Sequence, residues 1–411
     1  MSDSRCVVIG ASHAGVTLAL QLRKEGWKGA ISLVGAESEL PYHRPPLSKE
    51  HLAGEKSLDA MRLRPEKMFS DNNIELQLGL TALKINKKSQ LIKLNSGEEM
   101  RYDKLALCVG SIVNTISLAG SLKNLFYIRT AADVSSLSRS LEESKHAVII
   151  GAGYIGLEVA AVLRKLGLTV TVIELADRIL KRVTSEYMSS YIQSLHEKEG
   201  VKILTSTEVE SIQGDGKVET VVCRDGVTLP ADIIVAGIGV SPNVSLAESA
   251  GLRIDRGIIV NEFGQTSDSN IFAAGDCTVH PSIIYDRLIR LESVQNANEQ
   301  ARCAAANICG KQQVYDAIPW FWSDQYHIKL QMTGLSQDAD QIVVRGNPSV
   351  DDENGFALFY LQEGVVIAAD SVARPKEFIA SKQLVKERAR ISEEILADES
   401  IEPVKLMGFA S

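Results

Sequence analysis

The chain has 411 residues with 44 Lys and Arg against 52 Asp and Glu, which gives a formal net charge of −8. This acidic balance argues against nucleic acid as a partner, because binding to a phosphate backbone requires an excess of positive charge. No apolar run approaches the roughly 20 residues that a transmembrane helix needs, and at roughly 150 residues per domain the length predicts about three domains.

The first predicted element is a strand at residues 6–9, an apolar run typical of a fully buried parallel strand. A glycine-rich turn and a helical pattern follow it, as in a dinucleotide-binding unit, where the turn lets backbone amides at a helix N-terminus approach a pyrophosphate. Ser12, a small residue, replaces the middle glycine, so the backbone would have less space beside the phosphates than in a turn with glycine at this position. The candidate residues of this turn are Gly10, Ser12, His13, Ala14 and Gly15.

A second apolar strand is predicted at residues 30–34, and the first acid after its end is Glu37. A carboxylate at the end of this strand would bind an adenosine ribose, although Glu37 comes slightly late for that position. The next predicted elements are three antiparallel strands at 75–78, 81–85 and 91–94, followed by a strand at 105–109 that closes the unit.

A second glycine-rich turn follows the apolar run at 147–150, and this one matches G-x-G-x-x-G completely. Its candidate residues are Gly151, Gly153, Tyr154, Ile155 and Gly156. The strand that follows, at 169–173, ends in Glu174, about 20 residues past the glycines, where a carboxylate binds the ribose 2′-hydroxyl and favours NADH over NADPH.

The remaining elements predict that the first domain resumes after the second and that a third domain ends the chain. A short strand at 270–276 ends in an acid, a long helix covers 292–309, and aromatic strands and an amphipathic segment at 375–396 follow residue 319. The predicted fold is α/β, with two Rossmann-like domains of the glutathione-reductase type and a smaller α+β C-terminal domain. The predicted boundaries are 1–114 with 245–318, 115–244, and 319–411.

Six cysteines occur without any C-x-x-C pair, which indicates buried structural thiols and no metal site. Many flavoproteins with two dinucleotide domains reduce disulfides and carry a redox cysteine after the first βαβ unit, but residues 40–49 contain none. Because a strand already begins near Cys6, there is no room for a signal peptide before it, and a cytoplasmic location is expected.

Five motifs occur in a fixed order: PPLSK at 45–49, GAGYIGLE at 151–158, AGD at 274–276, R-x-E-S-V at 290–294 and PWFWSDQ at 319–325. In this combination the chain resembles the FAD-dependent ferredoxin reductases of the putidaredoxin reductase and aromatic-ring dioxygenase reductase family. The resemblance spans all three domains, and the PPLSK and WFWSDQ segments are far more specific than a glycine motif. Two positions depart from the family pattern, namely Ala36, where an acid is usual, and Cys108, where alanine is common.

The resemblance implies permanently bound FAD in the first domain and NADH in the second. It implies that FAD is contacted by Ala14 and its turn, Arg44, Lys49, Ala82, Arg129, Gly275, Asp276, Val294 and Trp322. It implies that NADH is held by the Gly151 turn, Glu158, Glu174 and the backbone near Gly239. Because of the departure at Ala36, either Glu37 binds the FAD ribose or no acid does.

Lys49, Glu158 and Trp322 are the candidate catalytic residues. Lys49 and Glu158 would form a buried ion pair beside the flavin if they meet, with the lysine stabilising negative charge on the reduced ring. From the residues alone, two separate surface charges are favoured, because buried Lys and Glu are rare. The family resemblance reverses this preference. Trp320 and Trp322 lie two apart in a strand and face one side, where they are either core residues or, as the resemblance implies for Trp322, a cover for the flavin.

The implied reaction is hydride transfer from NADH to FAD, then single-electron transfer to a [2Fe–2S] ferredoxin that supplies a monooxygenase or a Rieske dioxygenase. An acidic ferredoxin would need a local basic patch, for which the candidates are Arg62, Arg64, Lys67, Arg287 and Arg290. The alternatives are a rubredoxin reductase, an NADH oxidase or quinone reductase on the same fold, and an NADH-sensing interaction flavoprotein that resembles apoptosis-inducing factor. A monomer or a weak homodimer is expected, without a membrane or nucleic-acid partner.

Overall fold

The computed structural model describes residues 4–410. The strands are, in chain order, β1 Arg5–Ile9, β2 Ala30–Gly35, β3 Ile74–Leu78, β4 Ala82–Asn86, β5 Leu91–Leu94, β6 Glu99–Arg101, β7 Lys104–Leu107, β8 Ser111–Val113, β9 Leu125–Phe126, β10 His146–Ile150, β11 Thr169–Ile173, β12 Lys202–Leu204, β13 Val209–Gln213, β14 Thr220–Cys223, β15 Thr228–Pro230, β16 Ile233–Ala236, β17 Val240–Pro242, β18 Ile258–Ile259, β19 Ile271–Ala273, β20 Thr278–Ser282, β21 Arg287–Ile289, β22 Trp320–Gln325, β23 Ile328–Gly334, β24 Gln341–Gly346, β25 Phe356–Gln362 and β26 Val365–Val372.

The helices are α1 His13–Lys24, α2 Glu66–Asp71, α3 Ala131–Leu141, α4 Tyr154–Lys165, α5 Glu186–Lys198, α6 Ser245–Ser249, α7 Val294–Ile308, α8 Pro375–Lys386 and α9 Glu393–Ala397. Short 3₁₀ turns cover Pro45–Ser48, Asp59–Met61 and Pro403–Phe409. Among residues 4–410, no helix combines the length and the apolar character that crossing a membrane requires.

The described chain divides into two compact units. The first comprises residues up to 43 with 58–112 and 241–319, and the second comprises 44–57, 113–240 and the residues from 320 onward. Residues 44–57 therefore cluster with the second unit, although the boundaries predicted from the sequence assign them to the first domain. The division into three domains stays a prediction.

The first unit is built on a five-stranded parallel sheet in the order β19-β7-β1-β2-β3. Helices α1 and α7 cover one face, where Leu18, Leu22 and Ala301 are fully buried against the strands. The antiparallel sheet β4-β5-β6 packs on the other face. The prediction of three antiparallel strands is wrong for the first of them, because β3 pairs in parallel with β2. The second and third, β4 and β5, do pair antiparallel.

The second unit contains a five-stranded sheet in the order β12-β11-β10-β16-β9, all of whose pairs are parallel. It also contains a small antiparallel sheet, β13-β14-β15, and a larger one, β22-β23-β26-β25-β24, on which α8 packs through Phe378 and Leu384. The segment predicted as one amphipathic stretch over 375–396 is interrupted, since α8 ends at Lys386 and Arg388 has a φ of +50° before α9 begins.

Candidate dinucleotide sites and a buried ion pair

The first glycine-rich turn, at the carboxyl end of β1, leaves no room for larger residues. Gly10 has a φ of +107°, and a Cβ atom placed on it would lie 2.1 Å from the carbonyl oxygen of Cys108. A Cβ on Gly15 would lie 1.8 Å from the Gly10 carbonyl oxygen. The backbone therefore turns tightly into α1, which begins at His13 and presents its N-terminal amides at this edge of the sheet.

The carboxyl ends of β7 and β19 lie at the same edge, because both strands run parallel to β1. Gly275 follows β19 and approaches the first turn closely, since its Cβ would lie 3.3 Å from the Cβ of Ala14. The hydroxyl of Ser111 donates to Asp276 at 3.3 Å. Asp276, which the resemblance assigns to FAD, is thus held beside the glycine turn.

The N-terminus of α7 carries a buried amide side chain with unmet hydrogen-bonding capacity. Ser293 caps the helix by accepting a bond from the Asn296 amide at 3.1 Å. Gln295 is only 5% exposed, and within the described residues neither its Oε1 nor its Nε2 has a partner. Burying an unpaired amide is costly, so this position fits a polar ligand edge. Together with the tight turn at Gly10, this position fits FAD, which the resemblance places in contact with the preceding residue, Val294.

Three other predicted FAD residues belong to the first unit. Glu37 accepts a hydrogen bond from the Tyr42 hydroxyl, so its carboxylate is already engaged by a neighbour. His13 is buried at the start of α1, with its ring centroid 5.4 Å from that of His43. Ala82 begins β4 in the antiparallel sheet. The roles of these residues toward FAD stay predictions.

The second glycine-rich turn, between β10 and α4, is equally tight and also open on one side. Gly151 has a φ of +100°, and a Cβ on it would lie 2.5 Å from the Gly237 carbonyl oxygen. A Cβ on Gly156 would lie 2.2 Å from the Gly151 carbonyl oxygen. A Cβ on Gly153, in contrast, would meet nothing within 4 Å. A dinucleotide could therefore approach the backbone at Gly153 without meeting other protein atoms.

Glu174 is fixed against the second turn. Its Oε2 accepts from the Ala152 amide at 2.7 Å and its Oε1 accepts from the Ala176 amide at 2.8 Å. At the end of the neighbouring strand β16, Gly239 has a φ of +92°, and its carbonyl accepts from the Asn114 amide at 3.0 Å. Both predicted nucleotide residues thus lie at the carboxyl edge of the sheet, as expected for this fold.

Lys49 and Glu158 meet in a buried ion pair, with Lys49 Nζ 2.9 Å from Glu158 Oε1. The side chains are 13% and 2% exposed, respectively. The hydroxyls of Ser48 and Ser323 each donate to the carboxylate at 2.6 Å. Burial raises the pKa of Glu158, while Lys49 and the two hydroxyls act in the opposite direction. The prediction that these two residues form a pair is confirmed, and the alternative of two separate surface charges is wrong.

The local backbone places Lys49 for this contact. The two prolines at 45 and 46 begin a single 3₁₀ turn, and the Lys49 amide closes it by donating to the Pro46 carbonyl at 3.0 Å. Arg44 Nη1 donates to the Arg129 carbonyl at 2.6 Å. Lys165, at the end of α4, pairs with Glu55 at 2.6 Å. The pair of Lys165 with Glu55 links the segment that carries Lys49 to the helix that carries Glu158.

The tryptophans of β22 share one face, as the alternation predicts. The ring centroids of Trp320 and Trp322 lie 5.6 Å apart, and Lys382 Nζ lies 4.2 Å from the Trp320 ring. On the opposite face, Phe321 packs at 5.1 Å against Tyr154, the first residue of α4. Trp320 is therefore part of the packing of this sheet, and the contact of Trp322 with the flavin stays a prediction.

The five candidate partner residues all belong to the first unit. Arg62 is paired with Asp59 at 2.6 Å, and Arg64 and Lys67 follow it on the exposed surface. Arg287 is exposed on the hairpin formed by β20 and β21, whereas Arg290 is partly buried and paired with Glu292 at 2.5 Å.

All six cysteines are free thiols, and five of them are buried. Burial raises the pKa of Cys277 and of Cys303 to about 12, which leaves almost no thiolate at neutral pH. The burial of these two thiols argues against a reaction that uses a cysteine thiolate.

Three residues of these candidate sites are not identifiable from the sequence pattern: Ser48, Ser323 and Gln295. The two serines lie inside the PPLSK and WFWSDQ motifs, but a serine in a motif does not reveal that its hydroxyl points at a distant glutamate. Gln295 follows directly after a residue assigned to the flavin, and this position was the only available signal.

The fold has two parallel sheets, each with a glycine-rich turn after one of its strands, and a buried lysine paired with a glutamate. These features are those of a flavin-dependent oxidoreductase that uses a nicotinamide dinucleotide. Residues 4–301 match the family model described as pyridine nucleotide-disulphide oxidoreductase, and residues 320–407 match the model described as reductase C-terminal. The chain belongs to the pyridine nucleotide-disulphide oxidoreductase family.

Similar proteins cover the chain almost completely. Putidaredoxin reductase from Pseudomonas putida is 44% identical, with 98% of this chain and 96% of the relative covered. A ferredoxin–NAD(P)⁺ reductase from a Sphingomonas species is 41% identical, with 94% of this chain and 93% of the relative covered. The solved covalent complex of putidaredoxin reductase with putidaredoxin matches with a TM-score of 0.96 at 42% identity, covering 100% of this chain and 99% of the other.

Proposed function

We propose that this chain is the NADH-dependent reductase of a [2Fe–2S] ferredoxin that supplies electrons to an oxygenase. The observation that carries the proposal is the buried Lys49–Glu158 pair at 2.9 Å, on a chain with two dinucleotide turns and with no thiolate suited to disulfide reduction. The names of the relatives support ferredoxin as the acceptor, because one is a reductase of putidaredoxin and another a ferredoxin–NAD(P)⁺ reductase.

The first unit supplies the residues for FAD. The amides at the N-terminus of α1, reached through the Gly10 turn, neutralise the pyrophosphate, and Asp276 accepts from the ribityl hydroxyls. Val294 and the unpartnered Gln295 offer an amide N–H and a side-chain amide to the polar edge of the ring. When bound, FAD would supply the redox chemistry, which is acceptance of a hydride and release of single electrons.

The second unit supplies the residues for NADH. Its backbone at Gly153 lies open to the pyrophosphate, and the carboxylate of Glu174 faces the turn, where a ribose 2′-hydroxyl can donate to it. A 2′-phosphate at the same place would meet the negative charge of Glu174. This repulsion is the physical reason why we assign NADH as the donor.

Lys49 and Glu158 supply fixed charge rather than a transferable proton. Glu158 accepts from three donors at once, which holds the ammonium of Lys49 in one place. A positive charge held in a largely dry environment stabilises negative charge that develops nearby, and it costs no reorganisation when the reaction occurs. Trp322, on β22 one residue before Ser323, excludes water from the reacting centre in this proposal.

The hairpin of β20 and β21 is the surface that we assign to the ferredoxin. Arg287 is exposed there between two exposed apolar side chains, with Ile283 at 67% and Leu288 at 42%. A mixed basic and apolar surface suits an acidic electron-transfer partner that binds briefly. Arg290, Arg62, Arg64 and Lys67 extend the proposed patch. We further propose a cytoplasmic monomer or weak homodimer, and the free thiols support a reducing compartment.

The first test is reduction of a [2Fe–2S] ferredoxin by the purified holoprotein, with NADH and NADPH compared and the rate without ferredoxin as baseline. Fast reduction with a clear preference for NADH is the expected result. Flavin reduction by NADH without turnover of ferredoxin or rubredoxin would contradict the proposal and favour an oxidase, a quinone reductase or a sensor.

The surface is tested by Arg287→Glu combined with Arg290→Glu. We expect the kcat/KM for ferredoxin to fall about tenfold at low salt, with a weaker salt dependence, because opposite charges steer association. Lys84→Glu, an exposed charge on β4, is the matched control. Unchanged ferredoxin kinetics in the double variant at every salt concentration would exclude this patch.

A further inference from the structure

A chain of hydrogen bonds runs inside the second unit from Glu158 toward the β22–β23 turn. Ser323 donates to Glu158 Oε1 at 2.6 Å, and Gln325 Nε2 lies 3.3 Å from Ser323 Oγ. Gln325 Oε1 lies 2.8 Å from His196 Nε2, and His196 Nδ1 lies 3.2 Å from the Tyr326 hydroxyl. Ser323, Gln325 and His196 are each at most 2% exposed.

The direction of every bond in this chain follows from its end at a carboxylate. Ionised Glu158 can only accept, so the single proton of Ser323 is committed to it. Gln325 must therefore donate to Ser323 through Nε2, which turns its Oε1 toward the imidazole. His196 must then carry its proton on Nε2, and its Nδ1 accepts from Tyr326. Each donor in the chain points toward Glu158.

The sequence and the fold explain why the chain is continuous. Ser323 and Gln325 are two residues apart on β22 and so project from the same face of the strand. His196 lies near the end of α5 and contributes a side chain that is completely buried. Burial lowers the pKa of His196 to about 4, so the ring is neutral at physiological pH and keeps one donor and one acceptor nitrogen.

We propose that Gln325 and His196 are positioning residues for the Lys49–Glu158 pair, acting through the hydroxyl of Ser323. Aligned hydrogen bonds polarise one another, so the chain strengthens the bond from Ser323 to the carboxylate and fixes its direction. Glu158 is thereby kept ionised and aimed at Lys49. The consequence for hydride transfer rests on the proposed function, whereas the ordering of the chain does not.

Charged and titratable groups lie near both ends of the hydrogen-bond chain. Glu158 faces Lys49 from the segment 44–57 and Tyr154 from its own helix. Tyr326 lies in the field of Glu199 and Arg164, whose charges act on it in opposite directions. A change in the titration of Glu158 after substitution at position 325 therefore reports the hydrogen-bond chain, because the substitution leaves these groups in place.

The main test is an infrared pH titration of the oxidised holoprotein, without NADH or ferredoxin. The band of the protonated Glu158 carboxyl is assigned by its absence in Glu158→Gln. Gln325→Met, which keeps the side-chain volume but cannot bond, should raise the pKa of Glu158 by about half a unit, and Ser323→Ala by about one unit. Ser381→Ala is the control, because its hydroxyl is buried beside the same sheet and bonds Thr333 instead.

A second measurement examines the unsubstituted protein and uses a variant only to assign one signal. Nitrogen-15 NMR of the histidine side chains, with the His196 signal assigned from His196→Asn, should show the proton on Nε2. The opposite tautomer, or an unchanged titration of Glu158 in folded Gln325→Met, would overturn the inference. Loss of ferredoxin reduction with both results intact would instead count against the proposed function alone.

Discussion

The side chains of Lys49 and Glu158 lie 2.9 Å apart although the two residues are 109 positions apart in the sequence. Their charges are compensated by each other and by two serine hydroxyls. Such a pair contributes little net stability, but removal of one partner leaves the other as an uncompensated buried charge.

Lys49→Met should therefore lower the free energy of unfolding by about 3 kcal/mol, because it leaves Glu158 unpaired. Lys49→Met combined with Glu158→Gln should lose less than the single substitution, since no charge then remains buried. Urea unfolding of the apoprotein measures both, which separates this effect from FAD binding. If the double variant is the less stable of the two, the pair is not coupled as the geometry indicates.

The two glycines of the second turn should differ sharply in their tolerance of alanine. Gly151→Ala would push a Cβ to 2.5 Å from the Gly237 carbonyl oxygen at a φ of +100°, so we expect misfolding or strong destabilisation. Gly153→Ala meets nothing within 4 Å, so the fold and the FAD should be retained. Its KM for NADH should rise about tenfold, equivalent to roughly 1.4 kcal/mol, because the new methyl group stands where the dinucleotide approaches.

Thermal unfolding, the flavin absorbance spectrum and steady-state kinetics distinguish these outcomes. A normal KM for NADH in Gly153→Ala would show that the open space beside this residue is not the nucleotide site. An equally stable Gly151→Ala would show that the turn is less tight than its geometry requires.

Glu174→Gln should weaken the preference for NADH. The carboxylate accepts from the Ala152 amide at 2.7 Å, and the amide oxygen of glutamine can keep that bond. The negative charge that repels a 2′-phosphate is lost, and the ratio of kcat/KM for NADH over NADPH should fall about tenfold, or roughly 1.4 kcal/mol. Glu210→Gln, on the exposed side of β13, serves as the control. An unaltered ratio would remove Glu174 from the ribose site.

The sequence is informative wherever a local pattern determines the structure. Both glycine turns, the strands before them and the long helix over 294–308 follow from apolar periodicity and turn chemistry. The antiparallel orientation predicted for β3 is wrong because a short run of strand-forming residues does not determine whether its neighbour is parallel or antiparallel. The bend after α8 depends on the positive φ of Arg388. Because this residue is not a glycine, the sequence gives no signal for the bend.

Contacts between distant segments are the part that the sequence does not encode locally. For Lys49 and Glu158, only the family resemblance indicates that the two side chains meet. The serines that hold Glu158 and the chain through Gln325 to His196 join three segments that periodicity treats independently. Buried polar networks of this kind become visible only when each donor and acceptor has been paired in space.

Asp370 makes the stability of the second unit depend on pH. It is 5% exposed on β26, and the hydroxyls of Tyr360 and Thr184 each donate to its Oδ2 at 2.7 Å. Burial raises the pKa of Asp370 to about 6, against about 3.9 in an unfolded chain. The folded state therefore binds the proton more tightly, and this contribution to stability is present below pH 4 and is lost as the pH rises through 6.

Asp370→Asn should consequently gain stability relative to the parent chain as the pH rises, because asparagine keeps an acceptor oxygen for both hydroxyls and never ionises. Between pH 5 and pH 8 the difference should shift by about 1 kcal/mol in favour of the variant. Urea unfolding at both pH values measures it, with Asp215→Asn, on an exposed turn, as the control. A difference that stays constant with pH would mean that Asp370 is ionised in the folded chain throughout this range.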